Sequence, residues 1–319
     1  MAIKIKIPTQ KEPIELKQPA FLVGNGINYA EGCKLSWEQL LIDISGRKTG
    51  FKKHLAGLTY PEIAEMLLSQ LLPEEYDEEI KPKFISGVKN RIKNHIENEA
   101  ESNDCHKNLV KFAFEHDIPI LTTNFDRNFL KTPCFEGQNP DSIKLQWINQ
   151  APKAAKDYQT MKNACFSPKE ISNIHSEFAI WPIHGVVGKK TCPLCLTNWD
   201  YGNYCAKIKE ISKAKEWEKQ QNDSTWIDIL LDNDLIIMGL GLNYDETDLR
   251  FLLAERRIKQ KVANKDKDEK TNPKIIYIYR KEAEETEMPF GKREFFEALG
   301  IRCVPMNQDD IYEVEKYLK

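Results

Sequence analysis

Apolar residues along this chain gather in short β-branched runs, set between stretches that repeat at helical spacing. The first tract, Ile3-Lys4-Ile5-Lys6-Ile7, alternates apolar and basic positions, the period of a strand with one face exposed. Pro8 and Pro13 punctuate the polar residues after it. Pro19-Ala20-Phe21-Leu22-Val23 is apolar throughout and leads into Gly24-Asn25-Gly26-Ile27-Asn28, which predicts a buried strand ending in a glycine turn. Trp37, Leu40, Leu41 and Ile44 then recur at helical spacing behind Ser36, a residue type suited to an N-cap. Ile63, Met66, Leu67 and Leu71 form another apolar stripe. An amphipathic stretch rich in Lys and Asn runs from Phe84 to Ile96, and Leu109, Phe112 and Ala113 close a helical block from about 60 to 115.

Five more apolar runs come later in the chain: Ile118 to Thr123, Phe178 to Ile183, Leu235 to Met238, Lys274 to Tyr279 and Ile301 to Pro305. Short apolar runs separated by helical segments are what a parallel sheet buried on both faces requires. The expected fold class is therefore α/β, a Rossmann-like doubly wound parallel sheet. Several runs end in Gly, Asn, Asp or His, and ligands of open parallel sheets bind at the carboxyl ends of strands, so these tips should converge. The alternation is interrupted at about 131–175 and 186–232, which read as loop-rich insertions, and Ala263 to Pro273 reads as a charged, solvated loop. No internal repeat emerges.

Composition narrows the picture. The 319 residues are 41% hydrophobic, enough for one large domain with insertions. A net charge of -3, from 46 basic and 49 acidic residues, argues against a surface built mainly to grip nucleic acid phosphates. No apolar run approaches the roughly 18 to 20 residues that span a bilayer, and the first residues lack the apolar core of a secretory signal. Eight cysteines are too few for a disulfide scaffold in a chain this long, so a reduced, cytoplasmic setting is expected.

The candidate chemistry sits at the tips of the runs. Gly24-Asn25-Gly26 and Gly239-Leu240-Gly241 each read either as a tight turn or as a place where phosphate approaches the backbone. Asp126 could simply cap a helix, whereas Asn124 offers an amide able to donate and accept hydrogen bonds to ribose hydroxyls or a carboxamide. His184 reads either as a structural histidine or as a general base suited to neutral pH. Cys192-Pro193-Leu194-Cys195, with Cys205 as a third thiol, resembles half of a zinc knuckle; structural zinc needs four ligands, and no bound metal is expected. The other histidines, His54, His95, His106, His116 and His175, have no metal-ligand spacing.

Taken in order, the tips resemble the sirtuin family, specifically its NAD-hydrolysing branch from bacterial anti-phage defence systems. The match runs through Phe21 to Asn28, Leu121-Thr122-Thr123-Asn124-Phe125-Asp126 and Pro182-Ile183-His184-Gly185. It continues through Asp200-Tyr201, then Ile236 to Gly241 leading into Asp248-Leu249-Arg250, and ends with Ile275 to Tyr279 and Cys303 to Asn307. Deacetylase sirtuins carry glycine-alanine-glycine in the first loop and glutamine before the asparagine. Here those positions are Gly24-Asn25-Gly26 and Thr123, and the paired zinc module is incomplete, which favours NAD hydrolysis over protein deacylation.

The resemblance implies a single sirtuin-like catalytic domain over 1–319, with NAD+ as substrate lying across the strand tips and no metal. Asn124 and His184 would be catalytic. Gly24, Asn25, Gly26, Asn28, Thr123, Asp126, Gly239, Gly241 and Asn243 would bind the dinucleotide, with the first glycine loop at the pyrophosphate, Gly239 and Gly241 at the adenosine half and Asp126 toward the carboxamide. The implied activity is NAD+ glycohydrolase, releasing nicotinamide and ADP-ribose as the NAD-depleting effector of a defence system. The competing expectations are an NAD-dependent protein deacylase and a non-catalytic NAD or ADP-ribose sensor or scaffold. Control would come in trans from a separately encoded sensor protein, with or without homo-oligomer formation, and without membrane or direct nucleic acid binding. The surfaces expected to serve it are 131–175 and the helices between Pro61 and Ile96.

Overall fold

A computed structural model describes residues 2–6, 12–30, 36–45, 57–71, 96, 104–131, 178–187, 194–206, 226–263, 274–281 and 288–319. The insertion expected over 131–175 lies outside the described residues apart from Lys131, as do most of the Phe84–Ile96 stretch and the 264–273 loop.

Every one of the six apolar runs from Pro19 onward becomes a strand of one parallel sheet. The strands are β3 (Pro19–Val23), β4 (Ile120–Thr122), β5 (Ile180–Pro182), β6 (Asp234–Met238), β7 (Ile275–Arg280) and β8 (Ile301–Met306). Their order across the sheet is β5-β4-β3-β6-β7-β8. All five adjacent pairings are parallel, with Phe21 level with both Ile120 and Ile236. The chain thus builds outward from β3 on one side, then returns to β6 and builds outward on the other. This is the Rossmann strand order, whose switch point lies between the tips of β3 and β6.

Parallel strands buried on both faces need apolar side chains in both directions, and alternate residues supply them. Phe21, Val23, Ile236, Met238, Ile276 and Ile278 enter one core with Leu109, Phe112 and Tyr312. Ala20, Leu22, Leu235, Ile237, Ile275 and Tyr277 enter the other with Trp226, Leu249, Leu252 and Phe296. Helices cover both faces: α1 (Gly26–Tyr29), α2 (Trp37–Ser45), α3 (Tyr60–Leu71), α4 (Asp104–Glu115), α5 (198–206), α6 (Trp226–Asp232), α7 (Thr247–Ala263), α8 (Phe290–Ala298), α9 (Gln308–Ile311) and α10 (Val314–Tyr317). None of the described helices is long and apolar enough to cross a membrane.

Local capping explains where the helices near the site begin. Ser36 Oγ accepts the Gln39 N–H at 2.9 Å, as the sequence predicts for α2. Thr59 and Glu62 cap α3 reciprocally, with the Thr59 N–H donating to Glu62 Oε2 at 2.6 Å and the Glu62 N–H to Thr59 Oγ1 at 3.4 Å. The same device starts α5 inside the stretch expected to be loop-rich. The Thr197 N–H donates to Asp200 Oδ2, and the Asp200 N–H to Thr197 Oγ1, both at 3.1 Å. Tyr201 and Tyr204, three residues apart, then face the core.

The alternating N-terminal tract forms β1 (Ile3–Ile5), with Ile3 and Ile5 buried and Lys4 exposed. Its antiparallel partner β2 (Ile14–Leu16) is too short to carry a periodic signal of its own. The chain's end also pairs with β1: the Lys4 N–H donates to Lys319 O at 2.7 Å and the Lys319 N–H to Lys4 O at 2.9 Å.

Candidate functional site

The two glycine loops meet at the switch point, and they meet each other first. The Gly24 N–H donates to Met238 O at 3.1 Å, and the Gly26 N–H to Gly239 O at 2.7 Å. A Cβ on Gly24 would lie 2.6 Å from Gly239 O, and one on Gly239 only 2.4 Å from the Tyr312 hydroxyl. Gly239 also has φ +62°, a left-handed conformation that glycine adopts without strain. These glycines therefore act by closeness of approach; the Gly24 and Gly26 N–H groups are already engaged within the protein.

The tip of β4 supplies the polar floor. The Asn28 amide donates to Asp126 Oδ2 at 2.8 Å and to Asn25 Oδ1 at 2.7 Å, while Asn28 Oδ1 accepts the Asn128 amide at 3.0 Å. Asp126 Oδ1 accepts the Asn128 backbone N–H at 2.8 Å. Asn124 behaves differently. Its backbone N–H donates to Thr122 Oγ1 at 3.1 Å, but neither polar atom of its buried side chain has a hydrogen-bond partner among the described residues. Burying an amide unpaired costs on the order of 1–3 kcal/mol, so a position like this fits a group kept for a ligand.

His184 follows β5 and is 2% exposed. Its Nε2 lies 2.9 Å from Asp248 Oδ2 on the first turn of α7. On the other side of the ring, Nδ1 lies 3.4 Å from the Tyr201 hydroxyl and 3.9 Å from Glu246 Oε2. Burial works against protonating the imidazole, but the Asp248 and Glu246 carboxylates outweigh it, and the His184 pKa is raised. Burial pushes the Glu246 carboxyl up to about 7; His184 pulls it down, and Asp248 and Asp245 push it further up.

A cavity of about 340 Å³ opens among these tips, within the usual range of about 300–1,000 Å³ for small-molecule sites. Of the residues expected to bind or react, Asn25, Gly26, Thr123, Asn124, Asp126, Gly239, Gly241 and Asn243 line it. Gly24, Asn28 and His184 do not; the first two hold the loops together, and His184 contacts the lining residues Tyr201 and Glu246. One wall is aromatic: Trp37 stacks on Tyr60 with centroids 6.1 Å apart and meets the edge of Phe125 at 5.1 Å. Two other lining residues are held from outside the cavity: Lys292 Nζ donates to Asn243 Oδ1 at 2.9 Å and to Gly241 O at 2.5 Å.

Glu246, Tyr201 and Asp245 are the lining groups with chemistry that the strand-tip pattern did not single out. Tyr201 and Asp248 lay within the matched segments without a role attached. The Thr-x-x-Asp capping signature at Thr197 was the available sign that Tyr201 starts a helix face.

His184, Glu246 and Asp248 offer donor atoms that all lie within 4.8 Å of one another. Each ring nitrogen, however, faces its own carboxylate. The Nε2 contact to Asp248, at 2.9 Å, is a hydrogen bond, and the Nδ1 contact to Glu246, at 3.9 Å, is an ion pair. Cys192 lies outside the described residues. Burial raises the thiol pKa of Cys195 and, to about 11, that of Cys205, so both are neutral thiols at neutral pH.

The chain matches no protein-family model, and no curated protein is similar to it at a significant level. The fold and site themselves define an α/β protein of Rossmann-like topology, with a cavity of mixed polar and apolar lining at the carboxyl ends of its central strands.

Proposed function

We propose that this chain is a sirtuin-like NAD+ glycohydrolase, cleaving the bond between nicotinamide and ribose to release nicotinamide and ADP-ribose. The observation that carries the reading is Asn124: a buried amide with no partner among the described residues, lining a cavity at the Rossmann switch point. Dinucleotides bind at that point of such sheets, and an asparagine there can hold a ribose hydroxyl or the attacking water.

The charge of the cavity supports the same chemistry. Asp126, Asp245 and Glu246 line it, and no Lys, Arg or His is among its described lining residues. Cleavage passes through an oxocarbenium-like ribose as the cationic nicotinamide departs, and carboxylates in the cavity lining favour the positive charge that develops. In this reading Gly239, Gly241 and Asn243 take the adenosine half beside Lys292, and the His184–Glu246–Asp248 array manages the proton.

The test is to incubate the pure chain with NAD+, with and without an acylated peptide, and measure free nicotinamide. Release without peptide supports hydrolysis. Release only with peptide replaces it with deacylation, and binding without release replaces it with a sensor. The resemblance also suggests a cytoplasmic defence effector held in check by a partner protein. Most of the two surfaces expected to dock that partner lie outside the described residues. Expressing the chain alone and following cellular NAD+ tests the control: full, unregulated depletion would reject it.

A further inference from the structure

We propose that Glu246 is the catalytic base of this site, the group that takes the proton from the attacking water, with His184 as its positioning residue. The proposal rests on the hydrolase reading and changes which residue does the central proton transfer.

The base must be a cavity-lining group with a basic atom to spare. Asp126 has both oxygens engaged, one by the Asn28 amide and one by the Asn128 N–H. Asp245 commits one oxygen, Oδ1, to the Tyr60 N–H at 2.7 Å, anchoring the start of α3, and His184 pairs with Glu246 rather than with it. Tyr60 and Tyr201 are phenols whose pKa values burial raises further, so they are neutral at working pH and cannot accept a proton as bases. Glu246 lines the cavity with its side chain 15% exposed, and its buried Oε2 has no hydrogen bond among the described residues. His184 is 2% exposed and does not line the cavity. A proton on a water in the cavity meets Glu246 before it meets the imidazole.

The backbone leading to Glu246 supports a dedicated position. Leu242 is fully buried with φ +46°, a conformation that costs a non-glycine residue about 1–2 kcal/mol. The Arg250 guanidinium donates to Leu242 O at 3.2 Å, and the Glu246 N–H closes a turn on Asn243 O at 3.2 Å. Strain of this kind persists where surrounding structure holds it, and here it sets the direction of the residues just before α7. Behind Glu246, His184 Nδ1 at 3.9 Å is close enough to steer the carboxylate, and Asp248 fixes the ring through Nε2. The groups facing Glu246 are thus His184 from the β5 tip, Tyr201 from α5, Asp248 from α7 and its neighbour Asp245.

The step balances without a co-reactant. As the C1′–N bond of the nicotinamide ribose breaks, its electron pair goes to the pyridinium nitrogen and nicotinamide leaves neutral. The water oxygen bonds to C1′, and its proton passes to the Glu246 carboxylate and then to solvent.

The experiment compares wild type, Glu246→Gln and His184→Gln for nicotinamide release at saturating NAD+ across pH 5 to 9, with NAD+ binding followed by calorimetry. Glu246→Gln should lose about 100- to 10,000-fold in kcat with little change in NAD+ affinity, and the rising limb of the pH profile should vanish. His184→Gln should keep measurable turnover with that limb moved to higher pH, because losing the imidazolium removes a charge that favours ionised Glu246. Should Glu246→Gln fail to fold, Glu246→Ala with added formate carries the test: restored turnover supports the assignment, and none rejects it. Glu246→Gln within tenfold of wild type, or His184→Gln dead at every pH beside an active Glu246→Gln, overturns it while leaving the hydrolase reading intact. A wild-type chain that binds NAD+ and releases no nicotinamide overturns the hydrolase reading itself, and this role with it.

Discussion

Asn28 and Asp126, 98 residues apart in sequence, are joined by a 2.8 Å hydrogen bond from the Asn28 amide to Asp126 Oδ2. This bond pins the loop after β3 to the loop after β4, and it fills one of the two carboxylate oxygens. The other is filled by the Asn128 N–H at 2.8 Å. Asp126 lines the cavity, yet its acceptor atoms work for the fold.

Asp126→Asn is therefore expected to destabilise although the side chain keeps its shape. The two groups facing Asp126 are both donors, and an amide presents one donor of its own to them. Leaving a buried donor unsatisfied costs about 1–3 kcal/mol. Urea unfolding of the variant and wild type checks it; a change below about 0.5 kcal/mol, ordinary for a surface substitution, would show that the network holds nothing together.

Asn124→Ala should behave in the opposite way. The side chain is buried with no hydrogen bond to lose among the described residues, so removal should leave stability within about 1 kcal/mol of wild type. Nicotinamide release should nevertheless fall by about 100-fold or more, the scale seen when a preorganised polar group is removed from a reacting centre. Parallel unfolding and activity measurements decide it. Loss of stability with full activity would make Asn124 a structural residue.

The contrast between these two residues shows what the sequence could disclose. The six strands were legible because a sheet buried on both faces imposes short, continuous apolar runs with turn residues at their ends, and each run from Pro19 onward is a strand. Convergence of the tips follows from parallel topology, so Asn124 and the glycine loops were found at the cavity. Division of labour within the tips was not legible. Whether Asp126 or Gly24 faces ligand or protein depends on partners 98 and 215 positions away, Asn28 and Gly239, which no local pattern encodes. Glu246 escaped notice because it follows a strained loop rather than a strand, with no periodicity to mark it. β2 and α5 were hidden for a simpler reason: three strand residues and a capped helix inside a polar stretch carry little hydrophobic signal.

Gly239→Ala should be severely destabilising, for two separable reasons. The new Cβ would sit 2.4 Å from the Tyr312 hydroxyl, and the backbone has φ +62°. Adding Tyr312→Phe removes the clashing oxygen but not the backbone strain of about 1–2 kcal/mol. The double variant should therefore be more stable than Gly239→Ala alone, a positive coupling of at least about 1 kcal/mol in a double-mutant cycle. Additive effects would mean that the close approach to Tyr312 is not what requires glycine.

The buried array also makes a pH signature. Glu246 is raised from 4.5 to about 7 by burial first, against His184 and with Asp248 and Asp245. Between those two values the folded state holds a proton that the unfolded chain has released, so this group's contribution to stability declines as pH rises through that window. His184 acts in the same direction: its pKa is raised, so its stabilisation is complete below 6.5 and is lost as pH passes the raised value. His106 opposes them. Burial lowers it to about 4, against Asp126 and with Lys131, so its folded form refuses a proton between about 4 and 6.5 and its contribution falls as pH drops. Wild-type stability alone mixes these signs, and a comparison with Glu246→Gln separates them. The neutral amide cannot ionise, so the variant should gain stability relative to wild type between pH 5 and pH 8, on the order of 2 kcal/mol. Urea unfolding of both proteins at the two pH values measures this. A difference that stays flat, or one that grows in favour of wild type as pH rises, would mean that the Glu246 carboxyl ionises as readily in the folded chain as in water.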